Sequence, residues 1–415
     1  MEDPVMIFSG IVFLSLFIVL GLMLVITLIS GLKKKMWNSE YEPEVSIIVP
    51  VYNGEDNIAA CLEAIENADY PEDKKEVIVV DDGSTDRTAQ VAESFGNVHV
   101  IRQEHRGKVD ALNLGVSKAA NNIVITIDSD VMIERDFIKN IVKPFSDKNV
   151  GAVSGAAKVA NENSFLTAFQ SIEYLYNSLL MDSFSNVFGT SFWFWGAVSS
   201  FRKDVLMKAG GFTKDSETED FETMVRIKRL GYRTVSTRHA VGRTRVPGDL
   251  ISLFRQRIRW WKGSLQTIIG HRDMFTPRYG IAMMLLVFMQ FFWFVYSFLA
   301  IPLIIYQIFY WIPYNSATLL ELSFYLFRWF NLIGPFYALY KIPEWGVSLT
   351  SIFGILSAVL TLFMITLSFK TFREGRGIRK WLGVFFYFPY TIIVNMMIIM
   401  GAVSYAFGGR RSFVK

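Results

Sequence analysis

Cysteine is almost missing from this sequence, with Cys61 the single one in 415 residues. An internal disulfide is therefore excluded, which fits a reducing compartment, and Cys61 reads as a small buried core residue. Histidine is scarce as well. His99, His105, His239 and His271 have no ligand-like spacing and read as surface or strand positions, although His105 or His239 could join a metal held by other groups. Gly210-Gly211 lacks the Lys and Ser/Thr of a phosphate loop. No internal repeat or low-complexity tract is present. A charge surplus is also missing: 42 basic against 38 acidic residues leave a net +4. That balance says little about partners, and no nucleic-acid partner is expected.

Charge is absent most completely at the two ends. The chain is 52% hydrophobic with a mean hydropathy of +0.31, above the roughly 45–50% apolar content of soluble enzymes. The excess is uneven, since charged residues crowd between Lys33 and Arg278. Val5–Leu32 is an uncharged run of about 28 residues, enough for the roughly 30 Å of a hydrocarbon core. Its leader is acidic (Glu2, Asp3), unlike a signal peptide, and Lys33, Lys34 and Lys35 follow it. The positive-inside rule then places the N-terminus outside and the central part in the cytosol. Apolar runs return at Ile281–Pro313, Leu319–Tyr340, Val347–Phe369 and Leu382–Phe407. Glu321 and Arg328 interrupt the second, which suits an interfacial position as well as a spanning one. Basic residues at Lys370–Lys380 and at Arg410, Arg411 and Lys415 cannot share one side across a single helix. Three or four C-terminal crossings remain open. The expected layout is a transmembrane helix in 1–36, a cytosolic domain in 37–248, an amphipathic interface helix in 249–278 and a transmembrane region in 279–415.

The middle of the chain alternates strands and helices. Val45–Val51, Val77–Val80, Val98–Arg102 and Ile123–Ile127 read as strands. Asp56–Ala68, Thr85–Phe95 and Asp110–Ala120 read as helices between them. This order predicts a mainly parallel α/β sheet, whose ligands bind beyond the carboxyl ends of the strands. Two acidic groups sit at such ends: Asp81-Asp82 and Asp128-Ser129-Asp130. A D-x-D triplet alone is equally a solvated turn, but its place directly after a strand favours function. Hard divalent cations take oxygen ligands, and Mg²⁺ typically combines one or two carboxylates with substrate phosphates. Lys108 reads as a surface lysine or as a point charge for a diphosphate. In Thr218-Glu219-Asp220, Asp220 is a candidate base for an attacking hydroxyl. The alternative is an N-terminal cap for a helix over Asp220–Leu230.

Asp249–Ile269 reads as an amphipathic helix. Phe254, Ile258, Trp261 and Leu265 share one narrow face, Gln256, Arg259, Trp260 and Gly263 the opposite one, and Arg255, Arg257 and Lys262 flank the two. One side fits an apolar surface, while the other offers an amide, a guanidinium and an indole to a cavity. A membrane-surface helix with snorkelling cations is the plainer reading. Phe165, Phe169, Ile172, Tyr176 and Leu179 form a second apolar stripe, to which no chemistry is assigned.

Taken in order, Val45-to-Asn53, Asp81-Asp82-Gly83-Ser84, Asp128-x-Asp130, Thr218-Glu219-Asp220 and Gln256-Arg257-Ile258-Arg259-Trp260 resemble the membrane family 2 glycosyltransferases, which include cellulose, hyaluronan, chitin-type and poly-N-acetylglucosamine synthases. The resemblance covers roughly Pro43 to Gly263 and the flanking helices. It implies an α/β GT-A type nucleotide-sugar-binding domain inserted between transmembrane helices, in a multi-pass cell-membrane protein. By the same likeness, Pro50, Tyr52 and Asp82 would meet the uracil and ribose of a UDP-sugar, and Lys108 its diphosphate. Asp128 would assist nucleotide binding, Asp130 would hold Mg²⁺ or Mn²⁺, and Asp220 would be the general base. Gln256, Arg259 and Trp260 would hold the pyrophosphate and stack on the acceptor, with Trp195 and Gly196 lining the acceptor site. The family often has a cysteine near Trp195 or Gly196, and an acidic residue where Arg245 stands. Neither occurs in this chain. The expected activity is inverting transfer from UDP-Glc or UDP-GlcNAc to a growing β-linked polysaccharide. A non-processive transfer to a membrane lipid is the alternative enzyme, and a catalytically silent sugar-nucleotide sensor the non-enzyme reading.

Overall fold

The computed structural model describes residues 3–33, 37–274, 276–312, 318–375 and 377–408. Lys34, Lys35, Pro313, Arg410, Arg411 and Lys415, which carried part of the topology argument, lie outside them. The chain opens with helix α1 (Pro4–Leu32) and then runs β1 (Val45–Val51), α2 (Ile58–Glu66), β2 (Lys75–Asp81), α3 (Thr88–Glu93), β3 (Val98–Arg102), α4 (Lys108–Lys118) and β4 (Ile123–Ile127). It continues with β5 (Val131–Ile133), α5 (Phe137–Val142), β6 (Val150–Val159), α6 (Phe165–Phe188), β7 (Val198–Arg202), α7 (Lys203–Lys208), α8 (Glu219–Arg229) and β8 (Arg233–Thr244). After them come α9 (Leu250–Gly270), α10 (Ile281–Tyr310), α11 (Leu319–Trp329), α12 (Ile333–Trp345), α13 (Leu349–Phe372), α14 (Ile378–Phe385) and α15 (Tyr387–Gly408).

The eight strands form one sheet in the order β3-β2-β1-β4-β7-β6-β8-β5. Every residue of β1 and β4 is buried, as expected of strands covered on both faces. The pleat splits β1 between two cores: Ile47 and Val49 pack with Ile58 and Cys61 of α2, and Ile48 with Ala111 and Val116 of α4. Cys61 is fully buried, as read from the sequence.

The expected mainly parallel sheet is corrected to a mixed one. β1, β2, β3 and β4 pair in parallel, but β7 runs antiparallel to both β4 and β6, and β5 antiparallel to β8. These reversals assemble the site. Ile127 pairs with Val198, so the chain just before β7 crosses the carboxyl end of β4. Val131 pairs with Thr244, which brings the end of β8 beside Asp130.

Among the described residues four helices are long and apolar enough to cross a membrane, namely α1, α10, α13 and α15. The Leu319–Tyr340 run is not one continuous segment. It breaks where Asn331 Oδ1 accepts the N–H of Ile333 at 2.8 Å. Helix α11, of 11 residues, is about 17 Å long and cannot span roughly 30 Å of hydrocarbon. At one end of α1, Gly10 lies against α13, where an added Cβ would fall 2.5 Å from Leu349 Cβ.

Candidate active site

Three strand ends and two later segments converge on one group of side chains. At the first end, Tyr52 is 48% exposed and stacks on His105, with ring centroids 4.1 Å apart, while Pro50 is buried within β1. The Asp82 carboxylate, itself buried, accepts the backbone N–H groups of Arg106 (2.9 Å) and Gly107 (2.8 Å), bonds Gln103 Nε2 (2.5 Å) and pairs with His105 Nδ1 (2.8 Å). Burial opposes the Asp82 charge, but these donors outweigh it and hold the carboxyl below the usual range. Asp82 thus ties down the loop that leads into Lys108. The sequence reading of Asp82 did not include this work.

Lys108 is not a free surface lysine. Its Nζ lies 2.7 Å from Asp128 Oδ1 and 3.1 Å from Glu219 Oε1, bridging β4 to α8. Burial works against its charge, and the two carboxylates outweigh that, keeping the ammonium above the ordinary lysine range. Burial, and after it the Asp128 charge, raises the carboxyl of Asp130, whose neighbours include the Thr244 hydroxyl. Two carboxylates whose charges oppose each other form a site that a divalent cation would relieve. Among the described residues no group of three or more His, Cys, Asp or Glu side chains forms a complete cage. Substrate phosphate oxygens would have to complete the coordination.

Asp220 is not the cap of α8. Thr218 occupies that position, and Asp220 lies in the first turn, where its Oδ1 accepts the N–H of Phe221 at 2.8 Å. A Cβ on Gly196 would lie 2.5 Å from Asp220 Oδ2, so glycine is what allows this close approach. Burial, and after it the Glu219 charge, pushes the Asp220 carboxyl up to about 6. Its neighbour goes the other way: burial opposes the Glu219 charge, but Lys108 and Arg259 hold it below the carboxylate range. Adjacent carboxylates with divergent ionisation are the pattern that separates an acid–base group from a charge partner. Glu219 received no role from the sequence, although it stands inside the motif that drew attention to Asp220.

Helix α9 packs against the segment just before α8. Asp249 caps it through the N–H of Ser252 at 2.9 Å. Phe254 joins the cluster around Tyr390 and Met397 of α15, and Trp261 meets Phe294 of α10 edge-on, so this face rests on apolar helices. On the other face, Arg259 Nη1 donates to Glu217 O at 3.0 Å, and a Cβ on Gly263 would lie 2.6 Å from Thr218 Oγ1. Gln256 Oε1 accepts from Arg257 Nη1 at 3.0 Å.

The flanking cations require correction, because Arg257 and Lys262 do not snorkel. They are 1% and 2% exposed and pair with Glu173 (2.8 Å) and Glu217 (2.7 Å). Trp195 is also largely buried, stacked on Tyr174 at 4.6 Å with its Nε1 donating to Ser178 Oγ at 3.2 Å. Trp195 and Trp260 both line a cavity of about 840 Å³ that reaches among the long helices as far as Asp3, Tyr310 and Trp311.

This sheet, with acids at its strand ends, defines a GT-A type α/β domain. Residues 46–210 match the model named Glycosyl transferase family 2. The chain is 29% identical over 249 residues to a poly-beta-1,6-N-acetyl-D-glucosamine synthase of Staphylococcus aureus, covering 59% of this chain and 60% of that protein. The synthase of the same name from Staphylococcus epidermidis is 27% identical over 230 residues, covering 54% of this chain and 55% of that one. The chain thus matches about 60% or less of these relatives' length. A mannosyltransferase from Pyrobaculum calidifontis, solved in complex with GDP-Man and Mn²⁺, shares the fold with a TM-score of 0.62 at 22% identity, over 96% of this chain and 99% of that one.

Proposed function

We propose that this protein is an inverting hexosyltransferase that moves a sugar from a UDP-sugar, UDP-Glc or UDP-GlcNAc, onto a growing β-linked polysaccharide at the membrane. The observation that carries the reading is the gathering of acids around Lys108, whose Nζ lies 2.7 Å from Asp128 and 3.1 Å from Glu219, with Asp220 next in the chain and held against Gly196. Asp220 takes the proton of the acceptor hydroxyl, the acceptor oxygen bonds to the anomeric carbon from the face opposite the leaving group, and the bond to the diphosphate breaks. Tyr52 offers the uracil a flat surface, with Pro50 and Asp82 shaping its surroundings. Asp128, Lys108, Gln256 and Arg259 face the diphosphate. Asp130 would hold Mg²⁺ or Mn²⁺, which when bound neutralises the diphosphate leaving group. The metal in the mannosyltransferase of like fold supports this assignment.

Gly196 keeps space for the acceptor beside Asp220, Trp195 backs it, and Trp260 stacks on the pyranose. The cavity among the helices gives a polymer a way out of the site, and resemblance to the poly-beta-1,6-N-acetyl-D-glucosamine synthases supports a polymeric product. In this reading residues 1–36 and 279–415 lie in the membrane, 37–248 form the cytosolic domain and 249–278 the interface helix. The apolar lining of the same cavity, which includes Leu16, Leu20 and Met289, favours the second reading, transfer of one or a few sugars to a membrane lipid.

Incubating membranes with labelled UDP-Glc, UDP-GlcNAc and GDP-Man, and separating lipid-linked from polymeric product, tests both. Label from a UDP-sugar in a long polymer is the expected result. Transfer only from GDP-Man would overturn the donor, and a product of one or two sugars on a lipid would overturn the polymer.

A further inference from the structure

What holds the Trp260 ring in place is ionic. The Arg257 guanidinium lies over the indole, 4.2 Å from its centroid, and 5.6 Å from the ring of Tyr174. Trp195 meets the same indole edge-on at 6.1 Å. One face of Trp260 is thereby covered, while the partly exposed ring still lines the cavity. A guanidinium 1% exposed needs a counter-charge, and Glu173 Oε2 supplies it at 2.8 Å. The Tyr390 hydroxyl donates to the same carboxylate oxygen. Three elements meet here: α6 through Glu173, α9 through Arg257 and α15 through Tyr390. A buried ion pair seldom stabilises more than apolar side chains of the same size would. What the pair supplies that apolar groups do not is a fixed plane, because a guanidinium oriented by a carboxylate stacks in one attitude.

We propose that Glu173, Arg257 and Tyr390 are positioning residues: a clamp that fixes the plane of Trp260, so that the acceptor sugar stays docked between additions. The clamp rests on the reading of Trp260 as acceptor platform. It also joins that platform to α15, one of the helices long enough to span a membrane.

The test uses the full-length protein in membranes and reads mean product length at matched donor consumption, together with the donor KM. Arg257→Lys keeps the charge and its pairing but loses the planar stack. The double variant Glu173→Met/Arg257→Met keeps side-chain volume and leaves no buried charge unpaired, so it folds even where a single Glu173→Gln does not. Tyr390→Phe removes only the hydroxyl. Arg257→Lys and the double variant are expected to shorten the product about fivefold, the size of a lost cation–aromatic stack, with donor KM changed by less than about twofold. Tyr390→Phe should fall between them and wild type. A purely structural ion pair would tolerate Arg257→Lys, so wild-type length in that variant and in the double variant overturns the clamp. Trp260→Ala separates the two levels of the argument. If it shortens the product while the clamp variants do not, the clamp alone falls; if it leaves length unchanged, the acceptor reading falls and the clamp with it. Should wild type add a single sugar to a lipid, the same variants are read by acceptor KM, expected to rise about fivefold.

Discussion

Asp220 and Gly196 form a pair in which the missing side chain of one makes room for the carboxylate of the other. Asp220→Asn keeps the shape and the Phe221 contact geometry but cannot take a proton. Its turnover is expected to drop by roughly two orders of magnitude or more with donor affinity kept, and near-wild-type turnover would return Asp220 to a structural role. The raised carboxyl also sets a pH dependence. A base that titrates at about 6 is ionised above that value and protonated below it, so kcat/KM should rise with pH through about 6 and level off. A profile flat from pH 5 to pH 8 would contradict this. Gly196→Ala would push a methyl into Asp220 Oδ2. It should cost as much rate as Asp220→Asn, while donor affinity changes little. At Asp130 the expectation concerns an ion. Asp130→Asn should abolish transfer and weaken nucleotide binding, and full activity of that variant in excess EDTA would exclude a metal there.

Helix α9 touches the segment of Glu217 and Thr218 on one side and the long helices on the other. Its approach to Thr218 is as close as a glycine permits, with an added Cβ 2.8 Å from the Thr218 backbone N. Gly263→Ala must therefore move α9 off Thr218, the N-cap of the helix that carries Asp220. Overpacking of this kind costs about 1–3 kcal/mol. The expected outcome is a lower thermal midpoint together with a fall in kcat, and an unchanged midpoint would show that this segment absorbs the methyl. The helix itself was legible as an amphipathic segment, because periodicity is a local property. The burial of Arg257 and Lys262 was not. Their partners lie 84 and 45 residues away, and a buried cation looks like a solvated one until its counter-charge is placed.

For the whole molecule the question is where the product goes. A cavity of about 840 Å³ connects the aromatic platform to the opposite end of α1. Trp260→Ala at matched donor turnover should shorten a processive product, because each addition gives a poorly stacked chain another chance to leave. Stacking of this sort is worth ~1–3 kcal/mol. A lipid acceptor is held by its tail among the helices, and its product length would hardly change. Gel or mass-spectrometric sizing of the product separates these outcomes.

Reading residues in order was enough to place the strands that end in Asp81-Asp82 and Asp128-x-Asp130, and to find long apolar helices at both ends. Strand alternation, apolar run length and acids at strand ends are all encoded within a few consecutive residues. The antiparallel return of β7, which lays Gly196 against Asp220, came from strand pairing across 70 or more residues. So did the divergence of Glu219 and Asp220, since desolvation and the Lys108 charge act through space and have no counterpart in sequence spacing. The motifs therefore pointed to the candidate side chains, while pairing and burial set which of two neighbouring carboxylates, Glu219 or Asp220, has its carboxyl raised.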